Sequence, residues 1–243
     1  MKRTEALLDV TRGLSADLAG FQWSPPTAFV YDPTTYASEP WSAYVRKYGG
    51  RAGRVVLIGM NPGPYGMTQT GVPFGEPRLV REWLGVEGAV VPPEEQHPKR
   101  PILGFEHPRS EVSGARFWGW ARARHGTPAS FFRTFYVVNW CHLCFLAESG
   151  RNLTPDQLAA EDRARLYPLC DAALRRQIEL LAPRRVLGIG AFAEARARVA
   201  LEGLGLRIGR LLHPSPASPR ANRGWEEQVE AQLRSYRLFP PRR

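Results

Sequence analysis

Val55-Val56-Leu57-Ile58-Gly59-Met60-Asn61-Pro62-Gly63-Pro64-Tyr65-Gly66-Met67 passes without a break from an apolar run into a loop in which glycine and proline alternate. A segment apolar at every position, rather than at every second one, has the pattern of a strand covered on both faces. Prolines fix φ and glycines allow conformations closed to other residues, so the loop holds its backbone amides and the Asn61 carboxamide in set directions. A phosphate-cradling loop is the natural competitor. It fails, because the G-x-x-x-x-G-K-[ST] pattern is absent and no lysine lies nearby.

Working outward, residues 54–59, 134–139, 185–189 and 206–212 form four apolar runs, each followed by a polar or glycine-rich turn. Helical spacing fills the intervals at 114–124, 155–181 and 191–203, with Pro168 expected to start a second helix inside the middle one. This alternation predicts an α/β protein of three layers, α/β/α, around a central, mainly parallel four-stranded sheet, in a single domain over residues 1–243. Upstream, Leu7, Leu8, Val10, Leu14 and Leu18 have helical spacing over residues 4–18, with Thr4 as the expected cap. The proline-dense stretch 23–40 reads as an extended wrap that leads into a short helix at 41–48. Open parallel sheets bind ligands outside the carboxyl ends of their strands, which selects the loops 59–76, 139–144 and 213–225.

A hydrophobic content of 43% with 23% charged residues is that of a globular protein, not of a disordered or fibrous one. The net charge of +10 favours polyanions or an anionic membrane face and does not choose between them. Apart from Lys2, Lys47 and Lys99, every one of the 33 basic residues is arginine. Cys141, Cys144 and Cys170 are odd in number, so no disulfide framework is implied. Cys141-His142-Leu143-Cys144 lacks the four ligands of a structural zinc site, and an iron–sulfur cluster would need a fourth cysteine. Buried thiols are expected, with no metal and no cofactor. No stretch approaches the roughly 18 apolar residues of a membrane span, and Asp9 and Asp17 interrupt the amphipathic N-terminal segment. An intracellular protein is expected, in the cytoplasm or nucleoid of a bacterium or the nucleus of a eukaryote. No long apolar seam calls for a second copy, so a monomer is expected.

His213-Pro214-Ser215-Pro216 follows the last predicted strand, at the same rim as Asn61. A lone histidine is more often a satisfied structural residue. Opposite the Asn61 loop, however, it is a candidate donor aimed at negative charge that develops during a reaction.

The contiguous stretch 59–75, ending Thr68-Gln69-Thr70-Gly71-Val72-Pro73-Phe74-Gly75, together with His213-Pro214-Ser215-Pro216 and Asn222-Arg223-Gly224-Trp225, resembles the single-strand-selective monofunctional uracil-DNA glycosylases. The resemblance spans roughly residues 20–235. It implies a base-excision enzyme that flips uracil, or a C5-modified uracil such as 5-hydroxymethyluracil, out of single- or double-stranded DNA and hydrolyses the bond to the sugar. Residue by residue, Asn61 matches the position that orients the attacking water and His213 the one that hydrogen-bonds O2 of the departing base. Phe74 matches the stacking aromatic, and Asn139 the asparagine that reads the pyrimidine edge. Met60, Gly63, Tyr65 and Met67 match positions that shape the pocket around C5. Pro64, Ser215, Pro216, Ala217, Ser218, Arg220 and Arg223 fall on the DNA-facing segments.

The family often carries a basic residue directly after His-Pro-Ser-Pro, where its side chain fills the gap left by the extruded nucleotide. Here that residue is Ala217. Either Arg220 or Arg223 reaches in, or duplexes are handled less well. Arg116, Arg122, Arg124, Arg220 and Arg223, interleaved with Trp118, Trp120 and Trp225, would suit a phosphate-binding rim, though solvated helix faces explain them equally well. No lysine lies in the motif loops, so a Schiff-base lyase step is not expected. Two rivals remain open from sequence: a glycosylase that prefers xanthine or hypoxanthine, and a non-catalytic binder of damaged or single-stranded DNA.

Overall fold

A computed structural model describes residues 2–239 of the chain. In chain order its helices are α1 (Arg3–Leu18), α2 (Pro33–Tyr36), α3 (Ser38–Tyr48), α4 (Met67–Thr70), α5 (Pro77–Leu79), α6 (Val112–His125), α7 (Pro128–Thr134), α8 (Ala160–Leu181), α9 (Ala191–Ala200) and α10 (Trp225–Ser235). Its strands are β1 (Phe29–Tyr31), β2 (Val55–Gly59), β3 (Phe135–Asn139), β4 (Cys144–Leu146), β5 (Asn152–Leu153), β6 (Arg185–Ile189) and β7 (Ile208–Leu211).

The central sheet has the order β3-β2-β6-β7, and every neighbouring pair is parallel. It is built from the four runs anticipated from sequence. β2 is buried at all five positions because α1, α3, α8 and α9 pack as one group and α6, α7 and α10 as another, enclosing the sheet. Burying side chains such as Leu57 and Ile58 contributes roughly 1.5–3 kcal/mol each. The chain leaves β2 toward β3 on one side and later returns to β6 on the other. The switch point, where ligands bind in such sheets, therefore lies at the carboxyl end of β2.

A second sheet, antiparallel in the order β1-β4-β5, was not anticipated. Strands of two or three residues are too short to show alternation, and β1 lies in the segment 23–40 read as an extended wrap. That segment also holds α2, whose N-terminus is capped by Asp32 accepting from Thr34 N at 2.9 Å. α3 begins three residues earlier than expected, with Pro40 in its first turn, where a missing N–H costs nothing.

Two helix boundaries differ for physical reasons. α1 starts at Arg3, with Lys2 in the cap position, and Thr4 lies inside the helix. Its start is fixed by tertiary ties, since Arg3 donates to the Leu180 and Gly50 carbonyls at 2.7 and 2.6 Å. Pro168 does not begin a second helix but sits inside a continuous α8. Pro168 and Ala164 are both exposed, so water can satisfy the Ala164 carbonyl that the proline leaves without its N–H.

Trp118, Trp120 and Trp225 belong to the core rather than to a surface rim, each no more than 3% exposed. They pack with Phe117 and Phe131 in edge-on and tilted contacts. No helix among the described residues is long and apolar enough to cross a membrane.

Candidate active site

The chain following β3 continues to hydrogen-bond the loop following β2, and this locks the first functional residue. Trp140 N donates to Gly59 O and Cys141 N to Met60 O, both at 2.9 Å. Asn61 Nδ2 then donates to the Leu143 carbonyl at 3.2 Å and to the Pro62 carbonyl at 3.3 Å. With its nitrogen committed, Asn61 offers an oxygen that no protein donor occupies among the described residues. Behind Leu143, His142 Nε2 lies 3.4 Å from Asp32 Oδ2, which also accepts from Ser15 Oγ at 2.6 Å. Burial alone would raise the Asp32 pKa. His142 and the Ser15 and Thr34 hydroxyls more than offset that, bringing it to about 2 and fixing the loop that carries Leu143.

Asn139, the last residue of β3, is paired in register with Gly59. A Cβ at position 59 would lie 2.2 Å from Asn139 Oδ1 and 3.0 Å from Phe74 Cε2, so glycine is required for the amide to sit across the strand end. Asn139 Nδ2 points at Met67 Sδ, 3.2 Å away, a weak acceptor that a ligand carbonyl outcompetes.

Phe74 adopts φ +54°, a left-handed conformation uncommon for an aromatic residue. Its backbone is pinned: Glu76 N donates to Phe74 O at 2.7 Å, and Thr70 Oγ1 to Gly75 O at 3.0 Å. Gly114 at the start of α6 approaches so closely that a Cβ there would lie 2.1 Å from Phe74 O. The ring stacks on Phe117 at 4.9 Å and 21°, and lies 6.2 Å from the His213 ring. Strain of this kind persists where the surroundings over-determine it, and it gathers at functional sites.

His213 Nδ1 accepts from Ser215 N at 3.0 Å. The neutral ring therefore carries its proton on Nε2. Burial lowers the pKa to about 4, and a proton added at Nδ1 would face the Ser215 amide hydrogen head-on. At neutral pH His213 is an uncharged donor. Arg116 braces the segment that carries it, donating to the Pro214 carbonyl at 3.1 Å and to Asn222 Oδ1 at 2.9 Å. Asn222 Nδ2 in turn donates to Pro216 O at 2.8 Å. Arg116 thus serves the loop, not a phosphate rim.

These groups converge on one cavity of about 370 Å³. Of the residues picked out from sequence, Met60, Asn61, Gly63, Pro64 and Met67 line it from the β2 loop. Phe74, Asn139, His213, Ser215 and Pro216 complete the wall. Tyr65 is placed outside: its hydroxyl accepts from Arg109 at 3.0 Å, and the Arg100 and Arg109 guanidiniums each lie 5.4 Å from its ring centre. Ala217, Ser218, Arg220 and Arg223 also lie beyond the lining, on the loop after His213, where all but Ser218 are exposed.

Glu111, Ser113, Asn152 and Thr154 line the cavity and were not foreseen. Burial raises the pKa of Glu111, whose carboxylate accepts from the Ser113 and Gly114 amides as the cap of α6. The sequence signal for it was an acidic residue three positions before the helical pattern that begins at 114. Asn152 opens β5 and Thr154 directly follows it, and a strand so short gave no signal of its own. Among the described residues no group of three or more His, Cys, Asp or Glu is arranged to hold a metal ion.

The model of the uracil DNA glycosylase superfamily matches residues 46–234. The single-strand selective monofunctional uracil-DNA glycosylases of Rattus norvegicus and Mus musculus are each 51% identical over 238 residues, covering 97% of this chain and 86% and 85% of their own. The crystal structure of wild-type Pedobacter heparinus SMUG2 superposes with a TM-score of 0.71 at 18% identity, over 98% of this chain and 97% of that one, a likeness of fold. Identity at half of all positions along nearly the whole chain goes well beyond a shared fold, and the chain belongs to the single-strand-selective monofunctional uracil-DNA glycosylases, within the uracil DNA glycosylase superfamily.

Proposed function

We propose that this protein excises uracil from DNA inside the cell by hydrolysing the N-glycosidic bond, and that it also accepts uracils enlarged at C5, such as 5-hydroxymethyluracil. The flipped base lies on the Phe74 ring, and the Asn139 amide meets its edge, accepting from N3–H and donating to O4. Cytosine presents the opposite pattern and is refused. The C1′–N1 bond breaks with its electron pair moving onto the base, so negative charge grows at O2, within reach of the neutral His213 Nε2–H donor. Asn61 Oδ1 accepts a hydrogen bond from the water whose oxygen bonds to C1′ and whose proton is then lost. Neither residue is a strong base, so positioning and electrostatics carry the rate.

One observation carries this reading: a histidine held neutral with Nε2–H free, in the same cavity as a carboxamide whose oxygen is free. No lysine lines that cavity, which supports release of an abasic site without strand cleavage. The test is base release from oligonucleotides carrying uracil, hydroxymethyluracil, xanthine or hypoxanthine, single- and double-stranded. Uracil should leave fastest and the strand should stay intact until alkali is added. Preferential release of xanthine or hypoxanthine, or no release by the wild type, would overturn the reading.

A further inference from the structure

At the end of the sheet opposite the cavity, Arg184 precedes β6 and Arg185 opens it, Arg207 precedes β7 and Arg237 follows α10. With Ser235 and Tyr236 they line a second hollow, of about 420 Å³. No acidic residue lines it, and none of the four guanidiniums has an ion-pair partner among the described residues. Many other arginines of this chain do pair, including Arg175, Arg176, Arg198, Arg210 and Arg234 nearby in sequence.

The hollow has a fixed floor. Tyr236 OH accepts from Arg210 N at 3.0 Å and donates to Arg210 O at 3.1 Å, and the Arg185 guanidinium lies 5.0 Å above its ring. Arg237 occupies φ +58° where α10 ends, a position at which glycine is the usual residue. The dipoles of α8 and α10 account for a cation near each helix end. They do not account for four arginines lining one hollow without an acidic partner among the described residues, an arrangement that self-repulsion disfavours until an anion arrives.

We infer that this hollow is a second, sequence-independent site for the phosphate backbone of nucleic acid. The Arg185 guanidinium lies over one face of the Tyr236 ring, and four arginines line the hollow beside that single aromatic residue, so the contact is with phosphates. Strands of five residues separate the two ends of the sheet by about 17 Å. A strand engaged in the cavity and one held here are therefore different segments of DNA. The polymer identity of the anion rests on the excision reading above.

The test measures binding of a labelled, uracil-free oligothymidylate across a salt series. Arg184→Gln/Arg207→Gln should bind about tenfold more weakly at low salt, with a log–log salt slope shallower by about 1.4. Arg12→Gln/Arg78→Gln removes the same net charge from exposed sites elsewhere and should keep the wild-type slope. Uracil release from a short single strand should be unchanged in both variants. An unchanged slope in the Arg184/Arg207 variant, an equal loss in the Arg12/Arg78 variant, or displacement of the oligonucleotide by equimolar inorganic phosphate would overturn the inference. Failure of the wild type to release uracil would sink the excision reading while leaving the binding result standing.

Discussion

The side-chain nitrogen of Asn61 donates to the carbonyl of Leu143 at 3.2 Å, a bond between residues 82 positions apart in the chain. It sets which end of the amide faces the cavity. A carboxylate at position 61 would have no proton for Leu143 O and would be repelled by it, although it is the better base.

Asn61→Asp is therefore expected to lose activity much as Asn61→Ala does. Leaving the Leu143 carbonyl without its donor costs about 1–3 kcal/mol, which is roughly 5- to 160-fold in rate. Single-turnover uracil release from the two variants decides it. An Asp variant at wild-type speed would mean that basicity, not orientation, is what position 61 supplies.

His213→Ala should lower kcat by roughly 10²–10³, the usual loss for one donor to a developing oxyanion, with KM little changed. The pH profile should be flat from neutral down to about pH 5 and should fall as His213 gains a proton near its folded pKa of about 4. Stability follows the same group. Between pH 6.5 and 4 the unfolded chain binds this proton and the folded one does not, so stability falls with acidification across that window and the loss levels off below it. His125, lowered to about 4 chiefly by burial, adds in the same direction. An acid limb in kcat near 6.5 would show that the ring is not held neutral.

Arg116 acts on the His213 segment through the Pro214 carbonyl and Asn222. Arg116→Gln should reduce kcat by about tenfold, since loss of one or two charge-assisted hydrogen bonds lets the donor wander, while the melting temperature moves by only a few degrees. Arg116→Lys keeps the charge but not the two-pronged geometry and should recover only part of the rate. Full recovery with lysine would mean that charge alone matters there.

Ala217 is exposed on the loop beyond His213, and its N–H is held by Ser215 Oγ at 3.2 Å. Ala217→Arg should raise excision from duplex DNA more than from single strands, because a long side chain fills the gap that alanine leaves. Parallel assays on both substrates test this, and equal changes would remove the wedge argument.

Much of this site was legible before any coordinates, for a specific reason. Asn61, Asn139 and His213 sit at or directly after the carboxyl ends of β2, β3 and β7, Phe74 lies further along the loop that β2 opens, and buried parallel strands announce themselves as unbroken apolar runs. The small sheet was not legible, because strands as short as Asn152–Leu153 carry no period. Trp118, Trp120 and Trp225 misled because a tryptophan among arginines looks the same in sequence whether it faces solvent or the core. Arg116 was visible as a charge, but its partners lie 98 and 106 residues away and only the folded chain brings them together.

Cys141, Cys144 and Cys170 are all free and fully enclosed, and burial pushes the Cys144 thiol up to about 12 and the Cys170 thiol well above its ordinary range. Peroxides and electrophiles attack thiolates that they can reach, and this chain encloses all three of its cysteines out of reach. Reagents that modify exposed protein thiols therefore find no target on the folded chain, and uracil excision should survive treatment with a thiol alkylator.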